Sequence, residues 1–129
     1  MSLIYSAKHL IHYGQVGIWD HEDTTAYPMP DGPLPWWGPK GLAVAAQSGG
    51  WITVDIHSCD HLSDAPADTP EYMTHGHITI GSRGLVVGNI TAASTHFVKW
   101  PAGRISVAAY FAGRVPVVAH RVAFVLSKA

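Results

Sequence analysis

The segment that best predicts the fold class is residues 72–90, which read YMTHGHITIGSRGLVVGNI. Even positions from Tyr72 to Ile80 share one face of an extended chain, and the odd positions between them share the other. This period of two is typical of a β-strand whose two faces differ in environment. Gly81 and Gly84 bound a reverse turn, because glycine adopts positive φ without a Cβ clash. We therefore predict strands at 72–80 and 85–90, paired as a hairpin.

Other parts of the chain repeat this pattern. Ser48-Gly49-Gly50 predicts a second hairpin, and Pro101-Ala102-Gly103 predicts a further turn. No segment predicts a convincing helix, and the turns recur at the spacing of a sandwich or barrel. We predict an all-β fold, an antiparallel β-sandwich or partly closed barrel that forms one domain over residues 1–129. It has about eight strands, and the remaining six are residues 8–20, 41–47, 51–57, 95–100, 104–111 and 117–126.

Residues 27–39 contain five prolines, which remove backbone donors and exclude a helix or a central strand. We expect a loop there, and it contains Trp36 and Trp37. One interpretation of this pair is a lid that folds down over the open end of the core. The other is an exposed aromatic anchor for a binding partner.

Charge is distributed unevenly along the chain. All nine acidic residues lie between positions 20 and 71 with a single cation, Lys40, which gives this segment a net charge of −8. Residues 72–129 contain six Lys or Arg and no acidic side chain, a net charge of +6. The molecule is dipolar if the two halves stay apart in space, whereas the field averages out if their strands interleave.

Composition and sequence signals exclude several classes of protein. No segment approaches the about 20 consecutive apolar residues that span a bilayer, and no export signal precedes the first strand. Cys59 is the one cysteine, so an internal disulfide is excluded and a reducing compartment is expected. We expect a cytoplasmic protein that does not bind membranes.

The nine histidines raise the possibility of a metal site. His75 and His77 share one face of a strand, and the loop that contains His57 and His61 also contains Cys59; nitrogen and sulfur ligands of this kind bind zinc. The alternative is that these histidines face solvent, since their spacing without a carboxylate or cysteine pair is a weak signal.

Motifs for catalysis are missing. The sequence contains no nucleophile elbow, phosphate-binding loop or dinucleotide fingerprint, and a cysteine between histidines in a loop is not an aligned nucleophile and base. We predict a non-enzyme with no catalytic residues and no cofactor.

A cationic and aromatic set in the second half of the chain suggests a weak nucleic-acid-binding module. Exposed aromatic rings interleaved with cations form the platforms that bind single strands, but the basic density here is below that of most such proteins. We therefore favour ordinary cations beside turns, and nucleic-acid binding is not the expected function. The set comprises Arg83, Phe97, Lys99, Trp100, Arg104, Tyr110 and Arg114.

Several short motifs follow one another in a particular order along the chain: Tyr13-Gly14-Gln15-Val16 leading to Trp19-Asp20, Gly41-Leu42-Ala43, Gly84-Leu85-Val86-Val87, and Lys99-Trp100-Pro101-Ala102-Gly103-Arg104. This order resembles that of the competence protein J group, whose named member is a cytoplasmic inhibitor of a competence-associated DNA-entry nuclease. The resemblance extends over residues 10–111 and lies in strand order and turn placement. It implies a shared fold and a binding role without catalytic residues.

The resemblance and the acidic segment together predict a non-catalytic inhibitor of a protein partner, a nuclease being the candidate. Carboxylates that mimic phosphates suit the cationic surface of a nuclease. Assembly into a homo-oligomer is left open. The predicted contact residues are Asp20, Glu22, Asp23, Trp36, Trp37, Asp60, Asp64 and Asp68. The alternative function, a metal- or small-ligand-binding barrel, uses His57, His61, His75 and His77.

Overall fold

The computed structural model describes residues 1–23, 25–60 and 65–128. These residues form ten strands and one short 3-10 helix, Pro116–Val118. The strands are β1 (Ser2–Ile11), β2 (Gln15–Asp20), β3 (Trp36–Gly38), β4 (Gly41–Ala45), β5 (Gly50–Ser58), β6 (Glu71–Ile80), β7 (Leu85–Asn89), β8 (Ser94–Val98), β9 (Gly103–Ala112) and β10 (Arg121–Lys128).

Two five-stranded sheets form the molecule. Sheet A has the order β1-β5-β10-β9-β6, and sheet B has the order β3-β4-β2-β7-β8. The predicted β-sandwich is confirmed. One pair departs from the antiparallel expectation, because β10 runs parallel to β5. Those strands are far apart in sequence, so no short turn forces them to be antiparallel.

The hydrophobic core lies between the sheets and is formed by their inward-facing side chains. On β5 these are Ile52, Val54 and Ile56, as the alternation predicts, and on β10 Phe124 and Leu126 are fully buried. Removal of this apolar surface from water is the main force that holds the sheets together.

Loops cover part of the outer face of each sheet. Trp19 and Val86 of sheet B pack with Ala26 and Tyr27 from the loop after β2. On sheet A, Tyr110 and its neighbours pack with Cys59 and Ala65 from the loop after β5. Central strands β2 and β7 are therefore buried throughout, as is usual for strands covered on both faces.

Both predicted hairpins are wrong. β6 belongs to sheet A and β7 to sheet B, and likewise β4 lies in sheet B and β5 in sheet A. The hairpins that form are β3–β4, β7–β8 and β9–β10. A glycine-containing turn reverses the chain equally well between neighbouring strands of one sheet and between facing strands of two sheets. The turn signal alone therefore does not determine whether the two strands it joins pair with each other.

Several strand boundaries also differ from the prediction. The run 8–20 is divided by Tyr13 and Gly14, both at positive φ, into β1 and β2, and β1 already begins at Ser2. The proline-rich loop contains β3, which pairs with β4. The closing strand starts at Arg121, after the 3-10 helix, rather than at 117. The division and the additional β3 explain why ten strands are present where about eight are predicted.

A register shift between Tyr72 and Thr74 on β6 places Tyr72 on the opposite face from the predicted one, which it would have shared with Ile78 and Ile80. Tyr72 contacts Tyr110 edge-on, with ring centroids 6.0 Å apart, whereas Met73 packs against the main core. From Thr74 onward the alternation is as predicted, with Ile78 and Ile80 buried. The extra residue of a bulge moves the preceding side chain to the other face.

Candidate functional site

The turns after β2, β6 and β8 meet at one end of the sandwich, which we call the acidic end (segments 20–23, 81–84 and 99–102). The strand registers place these segments together, since Asp20 pairs with Leu85 and Leu85 with Val98. The opposite end consists of turns 12–14, 46–49 and 90–93 and the segment 113–120. A cleft of about 520 Å³ opens at the acidic end and is lined by Asp20, Glu22, Asp23, Lys40, Thr79, Ile80 and Gly81.

Asp20, a predicted partner contact, has a structural role in this cleft. Its side chain is buried, and its Oδ1 accepts hydrogen bonds from the amides of Glu22 and Gly81, both at 3.1 Å. The carboxylate thereby fastens the end of β2 to the turn after β6. It does not present a charge to solvent, and we exclude it from the candidate surface.

Glu22 and Asp23 lie closer to the surface. Glu22 is exposed, and its Oε2 accepts the Ser82 amide at 2.8 Å. The Oδ1 of Asp23 accepts the Thr25 hydroxyl at 2.7 Å and the Thr25 amide at 2.8 Å, and Lys40 Nζ lies 2.9 Å from its Oδ2. The hydrogen bond from Thr25, followed by that from Lys40, lowers the pKa of Asp23 to about 2. Asp23 is therefore ionised at every physiological pH.

A neighbouring cleft of about 360 Å³ extends the surface from Asp23 and Lys40 to Asp31, Met29 and Trp37. Asp31 is exposed, and Met29 is 82% exposed. Neither Met29 nor Asp31 is among the contact residues predicted from the sequence. The signal available for Met29 was its position between Pro28 and Pro30, which hold an apolar side chain on an irregular loop.

The two tryptophans behave differently. Trp37 packs against the main core, and its Nε1 donates to Thr74 Oγ1 at 3.2 Å. Its position matches the lid interpretation. Trp36 is half-buried and donates from Nε1 to the Gly32 carbonyl at 2.9 Å, so part of its ring remains available to a partner.

The acidic residues of the second predicted loop do not join this surface. Asp60 is exposed in a separate cleft of about 400 Å³ that Trp100 and Lys128 also line. Asp68 lies 3.5 Å from Arg121 Nη2, near the opposite end. Asp64 lies outside the described residues. The structure thus brings together Glu22, Asp23 and Trp37, whereas Asp60 lines a different cleft at the same end of the sandwich and Asp68 lies near the opposite end.

The acidic and cationic halves of the chain interleave in sheet A. Asp55 on β5 is buried, and its Oδ2 lies 2.7 Å from Nε of Arg121 on the adjacent β10. The hydrogen bond to Asp55 raises the pKa of Arg121, and Ser6 donates to the other carboxylate oxygen at 2.6 Å. Some of the charge asymmetry is therefore neutralised inside the fold.

The histidines predicted as alternative metal ligands are not assembled into one site. His57 lies on β5, whereas His75 and His77 lie on β6, three strand spacings away in sheet A, which is about 14 Å. That separation is too large for a shared ion. His61 lies outside the described residues, and the described part of the chain contains no group of three or more His, Cys, Asp or Glu able to hold a metal.

Comparisons with known proteins support the fold. No protein-family model matches the chain, and no curated protein matches it. The crystal structure of ComJ from Bacillus subtilis, described as an inhibitor of the DNA-degrading activity of NucA, is similar at a TM-score of 0.73 and 10% identity, over 99% of this chain and 98% of ComJ. A structure described as crocagin biosynthetic gene J is similar at a TM-score of 0.62 and 11% identity, over 98% of each chain.

No helix among the described residues is long and apolar enough to cross a membrane. Nearly the whole chain shares its architecture with ComJ. The predicted resemblance to the competence protein J group is thereby confirmed, and the chain has a ComJ-like fold.

Proposed function

We propose that this protein is a non-catalytic inhibitor that acts by binding a protein partner, and that the partner is a nuclease. The observation that carries the proposal is the similarity to ComJ over 99% of the chain, together with an acidic surface beside exposed apolar groups. We also propose that the chain acts as one domain in the cytoplasm. These proposals extend the ComJ-like fold to a ComJ-like role.

The chemistry of the acidic end supports this role. Glu22 and Asp31 are exposed carboxylates, and Asp23 lies between them. A nuclease presents cations to the phosphates of DNA, so carboxylates on an inhibitor are complementary to that surface and accelerate association. Met29 and Trp36 supply apolar contact area beside the charges, as the centres of protein interfaces commonly do.

The test is a DNA-degradation assay with NucA, and with extracts of the source cell, in the presence and absence of the purified protein. Wild-type protein is expected to slow degradation in at least one of the two. The double variant Glu22→Gln/Asp31→Asn is expected to bind the inhibited nuclease about tenfold more weakly, or about 1.4 kcal/mol, and with a flatter salt dependence. Gln at position 22 still offers an oxygen to the Ser82 amide, so the turn is preserved.

The matched control is Asp68→Asn/Glu71→Gln, which removes the same number of carboxylates near the opposite end, where Asp68 lies beside Arg121 and the exposed Glu71 begins β6. It is expected to inhibit like the wild type. Equal weakening by both double variants would indicate a dependence on net charge rather than on the acidic end. The absence of inhibition in both NucA and extract assays would contradict the proposed function.

A further inference from the structure

A second cleft at the acidic end has different chemistry. It measures about 580 Å³, within the range of small-molecule sites. Three segments form it: the residue after β2, the turn between β6 and β7, and the chain that follows β8. Its lining residues are His21, Ser82, Arg83, Gly84, Lys99, Trp100 and Pro101.

The three segments are fixed to one another. The His21 amide donates to the Gly84 carbonyl at 3.0 Å, and His21 Nδ1 lies 3.3 Å from the Arg83 carbonyl. At Gly84, an added Cβ would lie 2.4 Å from the Val98 carbonyl oxygen and 3.1 Å from the Trp100 amide nitrogen. The turn therefore packs directly on the chain after β8, and the cleft is a built feature of the fold.

An aromatic platform borders this cleft. Phe97, on the edge strand β8, stacks on His21 with ring centroids 4.0 Å apart and planes inclined by 16°. Phe97 is 63% exposed, so much of its surface remains open to a further planar group. Trp100 lies in the wall of the same cleft.

The charges at the cleft are cationic. Arg83 and Lys99 line it, and no carboxylate is among the described lining residues. Glu22, which follows His21 in sequence, accepts the Ser82 amide and lines the neighbouring acidic cleft instead. The acidic end thus carries two adjacent surfaces of opposite sign.

We infer that this cleft binds a nucleobase together with its phosphate, supplied by a free nucleotide or by single-stranded nucleic acid. A base stacks on the exposed aromatic pair, and Arg83 and Lys99 neutralise the adjacent phosphate. Such combinations of stacking and cations bind single strands with little sequence preference. The inference is independent of the proposed nuclease inhibition, which depends on Glu22 and Asp31.

The cationic residues predicted from the sequence are divided by the fold. Arg83 and Lys99 join this cleft, whereas Arg114 follows β9 at the opposite end and Arg104 lies on β9 in sheet A. Tyr110 packs under the loop after β5. A local cleft that contains two cations and is bordered by the stacked rings of His21 and Phe97 therefore replaces the broad basic face considered from the sequence.

The experiment measures fluorescence anisotropy of a 5′-labelled dodecamer of deoxyadenosine at about 20 mM salt, where phosphate contacts are strong. Unlabelled adenosine 5′-monophosphate and ribose 5-phosphate are the competitors. We expect the dodecamer to bind, adenosine 5′-monophosphate to compete and ribose 5-phosphate, which lacks a base, to compete at least tenfold less well. Binding by the nucleotide alone, measured calorimetrically, would identify a free nucleotide as the ligand, and tighter binding of the dodecamer would identify a single strand.

Variants on the cleft are compared with variants at the opposite end. Phe97→Ala and Arg83→Ala are each expected to weaken binding about five- to tenfold, in keeping with the contribution of one stacked base. Trp51→Ala and Arg114→Ala are the controls, because Trp51 is similarly exposed at 64% and Arg114 is an exposed arginine. Neither control is expected to change the affinity.

Three outcomes would overturn the inference. The first is that neither the dodecamer nor the nucleotide binds. The second is that cleft and control variants lose affinity equally. The third is that Arg83→Ala loses affinity whereas Phe97→Ala does not. An amide NMR spectrum gives a second measurement that needs no variant: the dodecamer should shift the Gly84 amide and the Trp100 indole signals and leave those of Trp51 unchanged. Shifts confined to the opposite end would also contradict the inference.

Discussion

At the scale of single residues, Gly84 controls how closely the turn after β6 approaches β8. Its φ is +79°, and the space that a Cβ would need is occupied by the Val98 carbonyl oxygen 2.4 Å away. Gly49 has nearly the same φ, +83°, but an added Cβ would meet nothing within 4 Å. A comparison of alanine substitutions at the two glycines therefore separates the cost of the backbone conformation, which both share, from the cost of steric crowding, which arises at Gly84 alone of the two.

We predict that Gly49→Ala lowers the free energy of unfolding by about 1 kcal/mol, the cost of a left-handed conformation for an L-residue. Gly84→Ala should lower it by about 2–4 kcal/mol, because overpacking against fixed backbone adds to that cost. The effect of alanine on the unfolded chain is similar at both sites and cancels in the comparison. Urea unfolding of both variants measures the difference, and equal destabilisation would show that residues 98–100 move away easily.

At the scale of elements, β3 closes one side of the sandwich. This three-residue strand is at the edge of sheet B, yet Trp37 reaches β6 of sheet A. An added Cβ at Gly76 would lie 2.9 Å from the Trp37 ring, so the small residue on β6 admits the indole. The element is short, and we attribute its stability to this cross-sheet contact more than to its own ladder.

We predict that Trp37→Ala lowers the free energy of unfolding by about 2–3 kcal/mol, somewhat less than for a fully buried tryptophan. The matched control is Trp36→Ala, the adjacent half-buried tryptophan, for which a loss below about 1 kcal/mol is expected. Thr74→Val tests the hydrogen bond to the Trp37 indole and should cost about 1 kcal/mol. A Trp36→Ala variant that is destabilised as much as Trp37→Ala would contradict the assigned role of Trp37.

At the scale of the whole molecule, His9 joins the two sheets. It lies on β1 of sheet A, is only 3% exposed, and its Nδ1 is 2.8 Å from the carbonyl of Ser94 on β8 of sheet B. The Tyr5 hydroxyl contacts its Nε2, and the Tyr5 ring also contacts the His96 ring, with centroids 5.2 Å apart. A neutral ring protonated on Nδ1 satisfies both partners, donating to Ser94 and accepting from Tyr5.

Burial lowers the pKa of His9; the hydrogen bond to the Ser94 carbonyl opposes this in part, and the nearby His96 adds a smaller lowering effect. An unfolded histidine has a pKa of about 6.5. The unfolded chain therefore binds more protons than the folded one just below that value. The stabilising contribution is complete above pH 6.5 and is lost as the pH falls toward the folded pKa.

We predict that the free energy of unfolding is lower at pH 5.5 than at pH 7.5 and that His9→Gln reduces this difference. Urea titrations at the two pH values measure it. Burial also lowers the pKa of His57, so some pH dependence should persist in His9→Gln. The control His77→Gln, an exposed histidine on β6, should retain the wild-type difference, and an unchanged difference in His9→Gln would refute the prediction.

The charge pattern illustrates how much of the candidate site was predictable. The sequence located the carboxylates, but it did not reveal that Asp20 is buried. The amide that donates to its side chain belongs to Gly81, 61 positions away, and no local pattern connects the two residues. Asp60 and Asp68 are close in sequence and far apart in the fold. The acidic residues that were predicted together as partner contacts therefore fall into separate groups in the structure. That the whole chain forms one domain stays a prediction.

The sequence by itself determined that the chain is built of strands, and it determined which side chains of β5 and of β6 beyond its bulge face inward. Alternation is a local property, legible from neighbours two residues apart. Only the tertiary structure decided which strands pair, which sheet each strand joins and which loops meet at the acidic end. Those choices depend on contacts between distant segments, such as Gly84 against Val98 and Trp37 against Gly76, and no local period encodes them.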